Sequence, residues 1–291
     1  MSATADPTTD AVAARTRTRT LPRVPPSVAV AALLLLVVVV CAVVPGLLAP
    51  DSPSQINPLE GLQPPSAAHL LGTDALGRDV LSRVIYGARS VLTGPLIVAI
   101  AVLAISTALA LLSGYRGGWV DGVLGRTMDT LYALPPLIVA IVLVGVFGGG
   151  YTLAICVLIV FNIPNSFRAL RAAVVERRGL PYVDAARSLG VPPRRVMLQH
   201  LLPNIVPLIV AGFFLRLTYG VVELSSLSFL GLGVPPGSAD WGRMLAENRA
   251  GIFENAWAAI APGVALVVVT VSANFVGDWL YERVEQKRRS R

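Results

Sequence analysis

Six long apolar runs constrain this chain more than any other feature of its sequence. A helix rises about 1.5 Å per residue, so a run of about 20 residues crosses a hydrocarbon core of about 30 Å. The predicted spans cover residues 27–49, 91–113, 127–149, 151–167, 204–226 and 257–280. Charged residues make up only 14% of the chain, whereas a soluble domain carries about a quarter. The sequence therefore predicts an all-α polytopic membrane protein with six transmembrane helices.

Positive charge is unevenly distributed between the two sides that these spans define. The side with both termini and the loops 114–126 and 168–203 has 18 Arg and Lys residues, and the other side has 5. Cytoplasmic loops are enriched in Arg and Lys, so both termini are predicted to be cytoplasmic. The predicted organisation is a disordered cytoplasmic N-tail (1–26), a first transmembrane helix (27–49), an extracytoplasmic segment (50–90), a core of five further transmembrane helices with the loop 168–203 (91–280), and a cytoplasmic C-tail (281–291).

The sequence lacks the patterns that common catalytic and cofactor sites require. The single lysine, Lys287, follows no glycine-rich stretch, so a phosphate-binding loop for ATP is excluded. His69 and His200 are far apart and have no acidic or Cys partner at ligand spacing. Cys41 and Cys156 lie in apolar runs, which argues against a disulfide framework. We therefore predict no enzyme activity, no bound cofactor and no metal site, and the positive charge indicates membrane topology rather than nucleic-acid binding.

The basic segment 168–203 contains a short predicted helix. Pro181 suits a first helical position, and Gly190 suits a left-handed C-terminal stop, which leaves a helix of about nine residues. Apolar residues recur at helical spacing and predict one small apolar face that points outward, with both of its alanines available to another surface. The residues of this face are Tyr182, Ala185, Ala186 and Leu189. From the residues alone, a solvated loop whose arginines only set topology stays an equal alternative.

The stretch "YVDAARSLG" and the later "QHLLPN" resemble the EAA motif of permease subunits in ABC importers. That motif has EAA, three residues, Gly, nine residues, Ile, one residue and Leu-Pro. Asp184 stands at the Glu position, and His200 at the Ile position is similar to the peptide and nickel subgroup. "LGTDALGRDVLSRVIYGARSVL" and "ELSSLSFLGLGVPPGSADWGRML" are similar to the C-type permease subunit of oligopeptide, dipeptide and nickel importers. The excess of Arg over Lys is typical of a GC-rich genome and suggests an actinobacterial oligopeptide permease.

The resemblance implies a type I ABC importer permease fold and a set of partners in the cell membrane. This subunit would form half of the translocation pathway with a B-type permease subunit, and two cytoplasmic ABC ATPase domains would use ATP. An extracytoplasmic substrate-binding protein or lipoprotein would deliver a peptide. By the resemblance, the 182–190 helix is the coupling helix that docks on an ATPase domain. The implied ATPase-coupling residues are Tyr182, Val183, Asp184, Ala185, Ala186, Ser188, Leu189 and Gly190.

Charged and polar residues inside the predicted spans are the other functional candidates. Arg216 and Glu223 are seven residues apart, about two helical turns, and lie on nearly the same face. They line the pathway or tie neighbouring helices together, and Asn274 is a weaker candidate of the same kind. The rival functions are a permease for nickel or another small solute, a self-sufficient secondary transporter, and an intramembrane enzyme. The sequence has no inverted repeat that would favour a secondary transporter, and no nucleophile–base pair that would favour an intramembrane enzyme.

Two extracytoplasmic stretches carry signals of local structure. Gly72, Gly77 and Arg78 in "GTDALGRD" indicate a structured turn of unassigned chemistry. The loop 227–256 contains Pro235-Pro236 and Trp241, and Trp257 follows it. In the family this loop would lie near the binding protein and gate, but an ordinary amphipathic segment with interfacial aromatic residues explains it equally well.

Overall fold

The computed structural model describes residues 24–148 and 150–289, so nearly all of the predicted N-tail lies outside the described residues. In the described residues the chain is helical, and its only β-pairing is an isolated bridge between Thr73 and Asp79. A π-helical segment covers Val196–Leu201, and short 3₁₀ turns lie at Pro58–Glu60 and Arg249–Gly251. The α-helices are α1 (Pro26–Val43), α2 (Pro45–Leu48), α3 (Val80–Arg116), α4 (Gly118–Tyr132), α5 (Pro136–Phe147), α6 (Tyr151–Arg178), α7 (Pro181–Ser188), α8 (Pro193–Arg195), α9 (Leu202–Phe229), α10 (Trp241–Asn248) and α11 (Trp257–Arg289).

Five helical stretches are long and apolar enough to cross a membrane. They are α1, α3, α6, the continuous stretch from α8 through α9, and α11. The pair α4–α5 makes a sixth span if the two bent halves cross together. These helices confirm the predicted all-α membrane fold.

The third predicted span, 127–149, is not one continuous helix. α4 ends at Tyr132 and α5 starts at Pro136, and their axes differ by 71°. Pro135 adopts an extended backbone with ψ 121°, and neither Pro135 nor Pro136 has an amide hydrogen to continue the helical bonding. A proline also disfavours helical angles in the residue before it. The adjacent prolines therefore account for the bend that apolar character alone does not reveal.

Two other helices extend well beyond their predicted apolar runs. α3 starts at Val80, where the Asp79 carboxylate accepts a hydrogen bond from the Ser82 amide at 2.7 Å, which is an N-terminal cap. α6 continues through Pro164 to Arg178. The loop 168–203 is therefore mostly helical and begins as a direct extension of a membrane span.

α3 lies at the centre of the bundle and packs against α1, α6 and α9. One apolar cluster joins the far ends of α3 and α6 to α7 and the start of α9. A second joins the middle of α3 to α5, α6 and α9. A third joins the beginning of α3 to α10 and α11. Because α3 contributes to all three clusters, it connects α7 physically to the opposite end of the molecule.

The "GTDALGRD" stretch is the structured turn that its glycines predict. Gly77 has φ 71°, and a Cβ atom there would lie 1.8 Å from the Asn57 carbonyl oxygen. The Asp74 carboxylate accepts bonds from the Leu76 and Arg78 amides at 2.9 and 3.0 Å. Its other oxygen accepts a bond from the Arg78 guanidinium at 2.7 Å. Only glycine fits the left-handed, closely packed position, so the turn is fixed by backbone geometry.

Buried arginines fasten this turn to the last interhelical loop. Arg83 is fully buried, and its guanidinium donates hydrogen bonds to the carbonyl oxygens of Gly237 and Ser238 at 3.2 and 3.1 Å. Arg78 and Arg83 both contact the Glu247 carboxylate, at 2.9 and 3.2 Å. Burial raises the pKa of Glu247, but the hydrogen bonds from Gly237 and Arg243 and the nearby guanidinium groups outweigh it, so the pKa lies below its usual value. Glu247 is therefore a charged link between the two outer segments.

Candidate functional site

Helix α7 has the start and stop that the sequence predicts. Pro181 occupies its first turn, after Leu180 in an extended conformation with ψ 145°. At the other end, Gly190 has φ 73°. The Gly190 N–H donates a hydrogen bond to the Arg187 carbonyl at 2.9 Å, and the Val191 N–H donates one to the Ala186 carbonyl at 3.1 Å. This pair of bonds is a Schellman motif, which ends the helix sharply. α7 is thus a short rigid element.

The inner face of α7 is part of the membrane-domain core. Val183 is fully buried and Ala186 is 6% exposed. Both belong to the apolar cluster that also contains Leu170, Val196 and Leu201. The prediction that both alanines point outward is therefore wrong for Ala186. The spacing argument missed this because Val183, one turn before Ala186, supplies a second apolar face.

The outer face of α7 is exposed and partly apolar. Leu189 is 84% exposed and Tyr182 is 37% exposed, and Ala185 between them is also exposed. Asp184 and Ser188 form an adjacent polar strip on the same side. Five of the predicted residues thus share one surface, which we name the α7 outer face (Tyr182, Asp184, Ala185, Ser188 and Leu189). It combines an apolar stripe with a polar margin, as protein-binding surfaces do.

Contacts around α7 tie it to helices α3 and α9. The Arg187 guanidinium lies 4.8 Å from the centre of the Tyr115 ring, on α3. The Asn204 side-chain nitrogen Nδ2, on α9, donates hydrogen bonds to the Tyr182 hydroxyl at 3.2 Å and to the His200 carbonyl at 2.6 Å. These contacts connect α7 to two of the membrane-spanning helices.

The second predicted group forms a buried polar bridge between α6 and α9. The Arg216 guanidinium donates a hydrogen bond to the Asn162 side-chain oxygen Oδ1 at 2.5 Å. The Asn162 side-chain nitrogen Nδ2 in turn donates to the Glu223 carboxylate at 3.0 Å. Asn162 and Arg216 are 5% and 6% exposed. We name this group the α6–α9 bridge (Asn162, Arg216 and Glu223), because its hydrogen bonds join α6 to α9.

Asn274 lies on a neighbouring surface. Its side-chain oxygen accepts a bond from the Thr218 hydroxyl at 3.3 Å. Asn274 and Arg216 also line one cavity of about 250 Å³ between α6, α9 and α11, together with Asp278. Arg216 therefore shares a hydrogen bond with Asn162 and a cavity with Asn274, and Asn162 also hydrogen-bonds Glu223.

Asn162 is not among the functional residues predicted from the sequence, although its position in an apolar run is a signal. This amide lies in the apolar run that becomes α6, two residues before Pro164. An uncharged polar group within a span must find a partner, because lipid offers none. Its partners are 54 and 61 residues away, so only the packing of α6 on α9 reveals the bridge.

Comparisons with known proteins assign the chain to a family. Residues 106–290 match the sequence profile described as "Binding-protein-dependent transport system inner membrane component". The glutathione transport system permease protein GsiD of Pectobacterium atrosepticum is 35% identical, over 78% of this chain and 75% of that protein. The dipeptide transport system permease protein DppC of Alkalihalophilus pseudofirmus is 32% identical, over 86% of this chain and 82% of that protein.

A solved structure supports the fold independently. Inward-facing conformations of the MetNI methionine ABC transporter contain a chain with a TM-score of 0.57 and 20% identity, over 69% of this chain and 96% of that one. This likeness confirms the predicted type I permease fold. The family match and the relatives confirm the resemblance to importer permeases and the prediction that the subunit is not itself an enzyme. The actinobacterial origin stays a prediction. The chain belongs to the family of binding-protein-dependent transport system inner membrane components.

Proposed function

We propose that this chain is one of two permease subunits of an ATP-driven importer of short peptides, and that it forms half of the translocation pathway. The peptide class is supported by the two relatives, whose names assign them to glutathione and dipeptide transport. The role as one half is supported by the described helices, which leave much of their apolar surface exposed, as a chain does when it meets lipid and a partner permease.

The observation that carries this proposal is the geometry of α7. Its inner face is locked into the membrane-domain core, while its outer face presents exposed Leu189 and Tyr182. Leu189, Ala185 and Tyr182 together form an exposed apolar stripe with a polar margin on a basic, non-membrane segment, and this combination supports a protein partner. We assign that partner as an ABC ATPase domain, whose closure would move α7 and the helices packed on it as one body.

The proposed assembly contains this chain, a B-type permease, two ATPase domains and an extracytoplasmic binding protein. The excess of Arg and Lys on the side of α7 supports a cytoplasmic position for α7 and for both termini. The binding protein would meet the opposite surface, where α10 and the turn around Gly77 are held together by the buried arginines.

Within the membrane, we assign the α6–α9 bridge a positioning role. It fixes α6 against α9 through hydrogen bonds to a buried guanidinium, and such charge-assisted bonds are strong in a low-dielectric interior. Asn274, which is exposed on the cavity wall beside Arg216, is the residue we assign to the pathway surface.

Reconstitution tests this function directly. The full-length chain would be co-expressed with its candidate B-type permease and ATPase subunits, purified as a complex and placed in proteoliposomes with the binding protein. We expect uptake of labelled dipeptide or glutathione that requires ATP and all partners. Uptake by the chain alone without ATP would contradict the proposal. Uptake of ⁶³Ni²⁺ without peptide uptake would overturn the peptide assignment and retain the importer.

A further inference from the structure

A histidine and three carboxylates surround one polar cavity on the outer segment between α2 and α3. The His69 Nδ1 atom lies 2.9 Å from Asp79 Oδ1 and 3.9 Å from Asp51 Oδ2. One ligand atom from each of these three residues lies within 4.8 Å of the other two. They line a cavity of about 290 Å³ together with Glu60. Spacing along the chain does not predict this cluster, because Asp51 and Asp79 approach His69 from opposite directions in the sequence.

We propose that Asp51, His69 and Asp79 bind one divalent cation of the zinc class. Zinc–nitrogen and zinc–oxygen bonds of about 2.0–2.2 Å in tetrahedral geometry separate neighbouring ligand atoms by about 3.3–3.6 Å. The observed separations of 2.9 and 3.9 Å bracket that value. The ligand atoms of Asp51 and Asp79 lie within 4.8 Å of each other, so a cation would draw the three side chains closer together. One imidazole with two carboxylates suits zinc and similar transition metals, whereas calcium and magnesium take oxygen ligands.

The electrostatics of the cavity favour a cation. Asp51, Glu60 and Asp79 all face it, and none of the residues that line it is Lys or Arg. In the described part of the chain, the ion pairs of these three carboxylates are made with His69 alone. The nearby arginines, Arg78 and Arg83, are instead engaged with Asp74 and Glu247. Because the Asp79 side chain is only 1% exposed, water screens this negative charge poorly.

Glu60 supplies the support that metal-binding histidines usually have. Its carboxylate lies 3.7 Å from His69 Nε2, on the far side of the imidazole ring from Asp51 and Asp79. This separation exceeds a hydrogen bond, but a Glu60 carboxylate that moved to hydrogen-bond distance would accept the Nε2 hydrogen and leave the Nδ1 lone pair directed at the cation. Glu60 is therefore a positioning residue and not a ligand.

The cation would clamp three parts of the outer segment. Asp51 follows α2, His69 lies in the middle of the segment, and Asp79 caps α3. The second Asp79 oxygen accepts the Ser82 amide at 2.7 Å, so the clamp connects directly to the first turn of the central helix. It is a resident site of this chain and does not depend on which solute the importer carries.

Metal titration of the full-length chain tests this inference. The protein would carry a tag without histidines, be stripped with a chelator in lipid nanodiscs, and be titrated with Zn²⁺ and Co²⁺. We expect one equivalent of Co²⁺ to give visible absorption bands that Zn²⁺ removes. His69→Ala and Asp51→Asn should abolish these bands, and Glu60→Gln should weaken Zn²⁺ affinity about 10- to 100-fold.

The two histidines of the chain provide an internal control. His200→Ala should bind the metal like the wild type, and Zn²⁺ should shift only the ¹⁵N-imidazole NMR signals of His69. Asp51 is 39% exposed at its side chain, so Asp51→Asn should retain the unfolding temperature of the metal-free chain. Metal binding that survives His69→Ala would overturn the proposal, as would saturation by Ca²⁺ in preference to Zn²⁺ or no binding of either metal. Failure of transport in the reconstituted importer would leave this result unaffected.

Discussion

Replacement of Leu189 by Ala should separate docking on an ATPase subunit from the stability of the permease itself. Leu189 follows the last residue of α7, and its side chain is 84% exposed. Nearly all of its apolar surface is therefore available to a partner. Complete burial of a leucine side chain contributes about 1.5–3 kcal/mol, and alanine retains about one methyl group of that contribution. The variant should lose about 2 kcal/mol of binding free energy, which weakens the dissociation constant about 30-fold.

The assay would measure binding of purified ATPase subunits to the permease complex in nanodiscs, together with peptide-stimulated ATP hydrolysis. The unfolding free energy of the permease should stay within about 0.5 kcal/mol of wild type, because the exposed side chain makes little internal contact. Leu59→Ala is the matched control, since Leu59 is 94% exposed on the predicted outer side. It should leave ATPase binding unchanged.

A change on the inner face of α7 should have the opposite signature. Ala186 is 6% exposed inside the apolar cluster. Ala186→Leu should lower the stability of the permease by about 1–3 kcal/mol through overpacking. If Leu189→Ala binds ATPase subunits with wild-type affinity, or if it loses as much stability as Ala186→Leu, the assignment of the two faces is refuted.

Three further predictions concern the bridge, the outer segment and the end of α7. Asn162→Leu should remove both hydrogen bonds of the α6–α9 bridge, destabilise the protein by about 3 kcal/mol in thermal unfolding and reduce uptake. Asn165→Leu, at an exposed position on α6, should leave the unfolding temperature unchanged. The lowered pKa of Glu247 stabilises the folded state above the ordinary glutamate pKa of about 4.3, and this contribution disappears as pH falls through the folded-state pKa. Glu247→Gln should therefore flatten the decrease of unfolding temperature at low pH. An unchanged pH profile of the unfolding temperature would contradict the ion-pair assignment. Gly190→Ala should cost about 1–2 kcal/mol because φ is 73° although the space is open, while Gly190→Asn should cost less.

Sequence reasoning located the helices because apolar runs and proline or glycine signals are local. Pro181 and Gly190 delimit α7 as predicted, and the runs beginning near residues 91 and 151 lie inside α3 and α6. The extent of α3 was missed because Ser82, Arg83 and Arg89 interrupt the apolar run before residue 91. Val80, Val84, Ala88 and Val91 nevertheless recur at helical spacing, and the Asp79 carboxylate caps the helix in the structure.

The parts that sequence reasoning missed depend on contacts between distant residues. Ala185 and Ala186 are adjacent and identical, and only the packing of α6 and α9 determines that one is buried and the other exposed. Asn162 and His69 acquire partners from other elements in the same way. A sequence pattern predicts which residues share a helix face, but the exposure of that face depends on the elements that pack against it.

The buried position of Arg83 has a consequence for the order in which the protein assembles during synthesis. Its guanidinium bonds to the carbonyl oxygens of residues more than 150 positions later in the chain, Gly237 and Ser238. Until the ribosome has made that loop and it has reached the same side of the membrane, the Arg83 guanidinium has only Asp74 and the Pro53 carbonyl as partners, and its remaining donors need water. The outer segment therefore acquires its full set of buried hydrogen bonds only after α9 is inserted.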